Sequence, residues 1–123
     1  MKKVIFLFSL LLSGCYLANG PPDSLNYWVK DGGKAPYKHF KYCDDFSRSK
    51  MDNHYFYLEN KFYNSTSDKR EDDEFMKLYR KKNALVNQCL YDIGYRFRPP
   101  LLWCLAEGGN NTKICIENMK YRN

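Results

Sequence analysis

The amino-acid sequence predicts an all-α protein, a disulfide-stapled antiparallel helical hairpin with a short C-terminal segment closed by a second disulfide. Residues 37–93 contain neither glycine nor proline, and so long a stretch without breakers is typical of helix. Apolar residues recur through this stretch mostly at intervals of three and four, which is the pattern of an amphipathic helix. Four cysteines lie in or after the stretch and predict the two staples.

A polar run at residues 64–68 divides the stretch into two predicted helices. Asp68 with Glu71 three positions later is a capping-box pattern, and acidic residues fill the following turn, where the helix dipole favours negative charge. Gly94 follows the last periodic residue and suits a left-handed C-cap. The aromatic run at 54–58 would also fit a short strand, but the three–four spacing continues beyond it and favours helix.

The cysteine positions predict how the hairpin closes. Two helices joined by a short turn run antiparallel, so residues equidistant from the turn face each other. Cys43 and Cys89 are equidistant from position 66, and Cys104 and Cys115 flank the turn signal Gly108-Gly109-Asn110. The spacing therefore predicts the pairs Cys43–Cys89 and Cys104–Cys115. The nested pairing, Cys43–Cys115 with Cys89–Cys104, is the alternative.

The segments that flank the hairpin are richer in breakers. Residues 16–36 are punctuated by Gly and Pro and predict a tether without a long helix or strand. Within it, the Tyr-Trp-Val patch at 27–29 is expected to pack back on the domain. After Pro99-Pro100, we expect Thr112 to cap a short final helix that runs through Met119, and a small β-hairpin is the rival.

The first fifteen residues have the form of an export signal. Lys2 and Lys3 precede an apolar run at 4–12, and Leu-Ser-Gly-Cys ends at Cys15. This run is too short to span a bilayer, which takes roughly 20 residues. The Leu-Ser-Gly-Cys site resembles the lipobox of Gram-negative bacterial lipoproteins, and an ordinary signal peptide with a chance cysteine is the alternative.

The lipobox resemblance implies cleavage before Cys15, a diacylglycerol thioether on its sulfur and an acylated amine. Residues 1–14 would then be the cleaved signal peptide, 15–36 a lipidated tether and 37–123 the folded domain. Tyr16 stands where an Asp favours inner-membrane retention in such lipoproteins, so the resemblance implies anchoring in the outer membrane. An even number of remaining cysteines fits disulfides in an exported domain.

Two short motifs in the chain after Cys15 carry a second resemblance. Trp28 begins a Trp-x-Lys-x-Gly segment, and Cys89 precedes Gly94-Tyr95 at the end of a predicted helix. In these motifs the chain is similar to a group of small, largely uncharacterised Gram-negative lipoproteins. It departs from them at Ile93, where a basic residue often stands, and in the segment after Pro100. The resemblance implies no activity.

Composition and motifs argue against catalysis and nucleic-acid binding. The part after residue 14 has eighteen basic and fourteen acidic residues, a mild positive bias that would favour anionic surfaces, and no nucleic-acid-reading motif is present. His39 and Cys43 share a helix face, but export favours a disulfide over a nucleophile or metal ligand. Asp44-Asp45 and the acidic run at 71–74 are interpreted as solvated or dipole-matched charges. We predict no enzyme activity, cofactor or metal.

Eleven tyrosines are more than a two-helix core can bury whole. Because tyrosine joins a rigid apolar ring to a polar tip, it is enriched at interfaces. The candidate interaction face comprises Tyr55, Tyr57, Tyr63, Tyr79, Tyr91 and Tyr95. We expect a non-enzymatic structural or interaction module of the envelope, anchored in the outer membrane, with a protein partner. The alternative is a periplasmic inhibitor or immunity-type protein that binds a secreted enzyme or toxin.

Overall fold

The computed structural model describes residues 23–123, so Cys15 and the predicted signal peptide lie outside the described residues. The helices in this part are α1 (Tyr37–Arg48), α2 (Asn53–Tyr63), α3 (Lys69–Asp92), α4 (Leu101–Cys104) and α5 (Asn111–Asn118). The strands are β1 (Trp28–Lys30), β2 (Gly33–Lys34) and β3 (Arg96–Phe97). Short 3₁₀ turns precede β1 and follow α5. Within residues 23–123, no helix combines the length and apolar content needed to cross a bilayer.

The ends of α3 are capped as the sequence predicts. The Asp68 carboxylate accepts the backbone N–H of Glu71 at 2.8 Å, and the Glu71 carboxylate accepts that of Asp68 at 3.0 Å, which confirms the capping box. Gly94 has a φ of +104°, and the Tyr95 N–H donates to the Leu90 carbonyl at 2.9 Å. This bond completes a Schellman C-cap and turns the chain towards β3.

The first arm of the hairpin is two helices rather than the single helix that the sequence predicts. Residues 49–52 separate α1 from α2. The Ser47 hydroxyl donates to the Cys43 carbonyl at 2.7 Å, and the Asp52 carboxylate caps α2 by accepting the Tyr55 N–H at 2.9 Å. Side chains that bond to the backbone compete with helix continuation, so the chain stops and restarts here. The aromatic run at 54–58 is helical, as the three–four spacing of apolar residues predicts.

Both predicted disulfides are present. Cys43 and Cys89 join α1 to α3 with their Cα atoms 5.6 Å apart, and Cys104 and Cys115 join α4 to α5 at 5.8 Å. The nested pairing is thereby excluded. The final segment is helical, which excludes the β-hairpin, but Thr112 does not cap it. Its hydroxyl donates instead to the Cys104 carbonyl at 2.6 Å.

The all-α prediction is wrong in one respect, because the protein also contains a three-stranded antiparallel sheet in the order β2-β1-β3. Trp28 of β1 lies opposite Phe97 of β3. Asp31 and Gly32 connect β1 to β2 with φ values of +51° and +78°, the conformation of a two-residue β-hairpin turn. The strands have two or three residues each, too few to show a period of two in the sequence.

Two hydrophobic cores lie at opposite ends of α3. The first core lies beside the sheet and includes side chains that pack around both disulfides. Its buried residues include Trp28, Leu90, Phe97 and Trp103. The second is built by Tyr55, Leu58 and Phe75 between α2 and the start of α3. Trp28 is only 1% exposed, which confirms that the patch at 27–29 packs on the domain. Helix α3, about 36 Å long at roughly 1.5 Å per residue, connects the two cores.

Candidate functional site

An open groove of about 1010 Å³ crosses the middle of α3. Helix α1 forms one wall, α5 with the following 3₁₀ turn forms the other, and the start of the 3₁₀ turn before β1 also contributes to the lining. Its lining combines apolar and aromatic side chains with charged ones. Representative members are Phe40, Lys41, Tyr79, Arg80, Ile114 and Tyr121.

The α1 wall is held by a partly buried ion pair beside the Cys43–Cys89 disulfide. The Lys82 ammonium lies 2.6 Å from a carboxylate oxygen of Asp44 and 4.9 Å from the centre of the Tyr79 ring. The Lys82 side chain is only 8% exposed, whereas that of Asp44 is 41% exposed. Because removing Asp44 would leave a desolvated ammonium without its partner, we expect this pair to stabilise the packing of α1 on α3.

The opposite wall is held by hydrogen bonds between uncharged side chains. The Asn87 amide donates to the side-chain oxygen of Asn118 at 3.0 Å, and the Asn118 amide donates to the Ile114 carbonyl at 3.0 Å. The Tyr121 hydroxyl donates to Gln88 at 3.1 Å. The bonds from Asn87 and Gln88 position α5 and the following turn on α3, and the Cys104–Cys115 disulfide ties α5 to α4.

The groove is mildly basic. Six basic and four acidic residues line it. Lys41 pairs with Asp45 at 2.8 Å, and this hydrogen bond raises the pKa of Lys41. Lys113 lies 3.8 Å from Glu117. Arg80 and Lys81 contribute further positive charge, and both are exposed. A mixed apolar and cationic surface of this kind is suited to binding a protein segment.

The six tyrosines of the predicted interaction face do not share one surface. Tyr55 and Tyr95 are buried in the two cores, which corrects their assignment to that face. Tyr57 is exposed on α2, on the side opposite Tyr55, because two residues on a helix differ by about 200° in direction. Tyr79 is half-buried and lines the groove.

Tyr63 and Tyr91, the remaining two tyrosines of the predicted face, lie outside the groove lining. Tyr63 is exposed at the end of α2. Tyr91 is half-buried, with its ring 5.3 Å from that of Tyr121, and its hydroxyl donates to the Asn123 carbonyl at 3.3 Å. Tyr79 is therefore the member of the predicted set that lines the groove.

The residues considered for nucleophilic or metal chemistry have structural partners. Cys43 is in a disulfide, and the His39 ring hydrogen-bonds to the Tyr95 hydroxyl. Asp44 and Asp45 pair with separate lysines. Over residues 23–123, no group of three or more His, Cys, Asp and Glu side chains is arranged to hold a metal ion.

A charge network lies away from the groove, where α1 meets α2. Arg48 donates two hydrogen bonds to the Glu59 carboxylate, at 2.6 and 2.9 Å, and the Tyr55 hydroxyl donates to the same carboxylate at 3.2 Å. The Arg48 hydrogen bond is the main cause that lowers the pKa of Glu59, and burial is the main cause that raises the pKa of Tyr55. This network clamps the bend between the two helices.

The sequence identifies only part of the groove. Phe40 belongs to the predicted apolar stripe and does face the groove. Lys82 belongs to a run of three basic residues at 80–82, and nothing local distinguishes it from its neighbours, because its burial depends on how α1 packs. Ile114 and Tyr121 reach the groove only because α5 folds back on α3.

No protein-family model matches this chain, and no curated protein or solved structure matches it.

Proposed function

We propose that this protein is a non-enzymatic, lipid-anchored interaction module of the outer membrane, and that it binds a protein partner in the groove between α1, α3 and α5. The observation that carries the proposal is the groove itself. It is wide and open, disulfides tie α1 to α3 and α5 to α4, and its lining mixes aromatic rings with lysine and arginine. Such preorganised walls lower the entropy lost on binding.

The charge of the groove supports an acidic partner segment. Basic residues outnumber acidic ones in the lining, and Arg80 and Lys81 stand on exposed positions of α3. Complementary charge of this kind speeds encounter and selects against basic partners. Aromatic side chains such as Tyr79 and Phe40 would supply the apolar contacts. A helix or an extended segment with an acidic and apolar face would fit this chemistry.

The anchor part of the proposal rests on the lipobox resemblance at Cys15. Three acyl chains would hold the domain to a bilayer far more firmly than one, because each buried CH₂ contributes about 0.8 kcal/mol. Mass spectrometry of the N-terminal peptide tests this part directly. A peptide that begins at Cys15 and carries acyl mass is expected, and an unmodified Cys15 would contradict the anchor.

Site-directed photo-crosslinking in intact cells tests the groove. A photoreactive residue would replace Tyr37, which is 79% exposed and lines the groove. The matched control replaces Tyr63, which is exposed on α2 outside the groove lining. We expect one reproducible adduct from position 37 and none from position 63. Equal adducts from both positions, or none from either, would contradict the proposed site.

Charge reversal tests the role of the basic groove. Arg80→Glu with Lys81→Glu should abolish most of the crosslink yield from position 37. The control, Lys69→Glu with Arg70→Glu, makes the same change of charge at exposed positions at the start of α3, and should leave the yield unchanged. If both double variants behave alike, the partner is not held by the charge of the groove. A secreted enzyme or toxin in the adduct would favour the inhibitor or immunity-type role.

A further inference from the structure

The short helix α4 presents an apolar edge to solvent. Leu101, Leu102 and Leu105 are 72%, 74% and 63% exposed, and we name these three residues the leucine edge. The Leu105 N–H donates to the Leu101 carbonyl at 3.0 Å, so these two side chains lie one helical turn apart. Apolar side chains exposed close together make this edge a candidate contact surface.

The neighbouring helix and the turn after it also expose apolar side chains. The Cys104–Cys115 disulfide holds α5 against α4 with Cα atoms 5.8 Å apart. Ile116 and Met119 are exposed on α5 and on the turn that follows it. The exposed apolar side chains therefore belong to one disulfide-closed unit at the C-terminal end of the chain.

The chain enters the folded domain beside this unit. The Tyr27 ring centre lies 5.1 Å from that of Trp103 in α4, and the Arg98 N–H donates to the Tyr27 carbonyl at 2.9 Å. Cys15 precedes Asp23, the first described residue, by eight residues, which reach at most about 29 Å. A lipid on Cys15 would therefore hold Asp23 within about 29 Å of the bilayer, which leaves α4 within reach of its surface.

Positive charge flanks this unit in the sequence, because Arg96 and Arg98 precede α4 and Lys120 and Arg122 follow α5. Residues 95–123 contain five basic and two acidic residues, a net charge of +3. The whole part after residue 14 has a net charge of +4 from eighteen basic and fourteen acidic residues. Arg98 and Arg122 are exposed next to each other, since the Arg98 guanidinium donates to the Arg122 carbonyl at 3.2 Å. Basic side chains around apolar ones are the combination that binds anionic membrane surfaces.

We propose that the leucine edge lies in the interface of an anionic phospholipid bilayer, so that the domain is seated on the membrane as well as tethered to it. This inference rests on the proposed anchor, because the anchor brings α4 within reach of the surface. The lipid headgroups would face Arg98 and Arg122, and the leucine side chains would enter the boundary between headgroups and acyl chains. The second hydrophobic core would then lie away from the bilayer.

Brominated lipids, which quench nearby indole fluorescence, test the seating. The full-length protein carrying its own lipid is reconstituted in vesicles of phosphatidylcholine and phosphatidylglycerol with brominated acyl chains. The probe variant is Leu102→Trp, and the matched control is Tyr63→Trp on α2. Both native tryptophans are buried and give the same background in the two proteins. We expect loss of most of the added emission in Leu102→Trp and no loss in Tyr63→Trp.

Four outcomes would overturn the seating. One is an unquenched Leu102→Trp in a protein that floats with the vesicles and has acyl mass on Cys15, a result that leaves the anchor intact. Another is equal quenching in both variants. In the third, the emission of Leu102→Trp changes with the density of protein in the vesicles but is the same in brominated and ordinary lipids. That result would show that a second copy of the protein covers the leucine edge. A chain without acyl mass that does not float would overturn both anchor and seating.

Discussion

Trp28 lies directly opposite Phe97 in the antiparallel pair β1–β3, with ring centres 5.3 Å apart. The ring centre of Tyr121 lies 5.7 Å from that of Trp28. Trp28 thus joins the N-terminal strand, the segment after α3 and the C-terminal turn. This contact makes the chain from residue 28 part of the first hydrophobic core.

Trp28→Ala should therefore destabilise the whole protein. Removing a fully buried tryptophan leaves a cavity and lowers the free energy of unfolding by about 3–5 kcal/mol. Urea denaturation followed by circular dichroism measures the change. Tyr37→Ala is the control, because Tyr37 is mostly exposed and its removal should change stability by about 0.5 kcal/mol or less. Equal effects of the two substitutions would show that residues 27–29 are not integral to the fold.

The two disulfides should contribute unequally to stability and differently to the groove. The Cys43–Cys89 bond closes a separation of 46 residues and the Cys104–Cys115 bond one of 11. Chain entropy then predicts losses of about 4 and about 3 kcal/mol in the respective double serine variants. Equilibrium denaturation of each variant measures the losses.

Crosslinking from position 37 separates the roles of the two bonds. We expect Cys104→Ser with Cys115→Ser to reduce the crosslink yield while α1 and α3 stay paired, because only the α5 wall is loosened. A yield identical to that of the parent protein would show that this disulfide does not shape the groove.

Much of the helical architecture could be predicted from the sequence, because its signals are local or symmetric. Asp68 and Glu71 cap α3 through side chains three residues apart, and Gly94 ends it with a positive φ. The Cys43–Cys89 pair follows from the position of the turn alone. The sheet is absent from the sequence prediction, which interprets residues 16–36 as a tether. Asp31-Gly32 is a hairpin turn signal, but nothing near Arg96–Phe97 in the sequence indicates that β3 pairs with β1.

The charge network at the α1–α2 bend should make stability depend on pH. The pKa of Glu59 is lowered from its ordinary value of 4.5, so the carboxylate stabilises the fold above pH 4.5, and this contribution is lost as pH falls through the lower, folded-state pKa. Glu59→Gln should lower the free energy of unfolding at pH 7 by about 1 kcal/mol after solvent screening. It should also flatten the pH dependence of stability below pH 4.5.

The control for this test is an exposed ion pair within α1. Asp45→Asn removes the partner of Lys41 in a pair whose side chains are both exposed, and solvent screening should leave stability nearly unchanged. Urea denaturation between acid and neutral pH compares the variants. Parallel stability curves for Glu59→Gln and the parent protein would show that Glu59 has no lowered pKa.

Ser65 offers the opposite kind of test, a substitution that should stabilise the protein. It ends α2 with a φ of +54°, where its N–H donates to the Phe62 carbonyl at 3.2 Å and the next N–H, of Thr66, donates to Lys61 at 2.9 Å. This is a Schellman cap with serine at the left-handed position that glycine favours. Relief of that strain in Ser65→Gly should outweigh the added freedom of the unfolded chain and raise the free energy of unfolding by about 0.5–1 kcal/mol.

The matched substitution two residues later should act in the other direction. Ser67 does not have a positive φ, and its hydroxyl donates to the Asp72 carboxylate. Ser67→Gly therefore removes a hydrogen bond at the start of α3 and adds backbone freedom to the unfolded chain, so it should destabilise the fold. Thermal denaturation of both variants beside the parent measures the two shifts. A destabilised Ser65→Gly would show that residue 65 is not held in the left-handed region, and that α2 does not end in a Schellman cap.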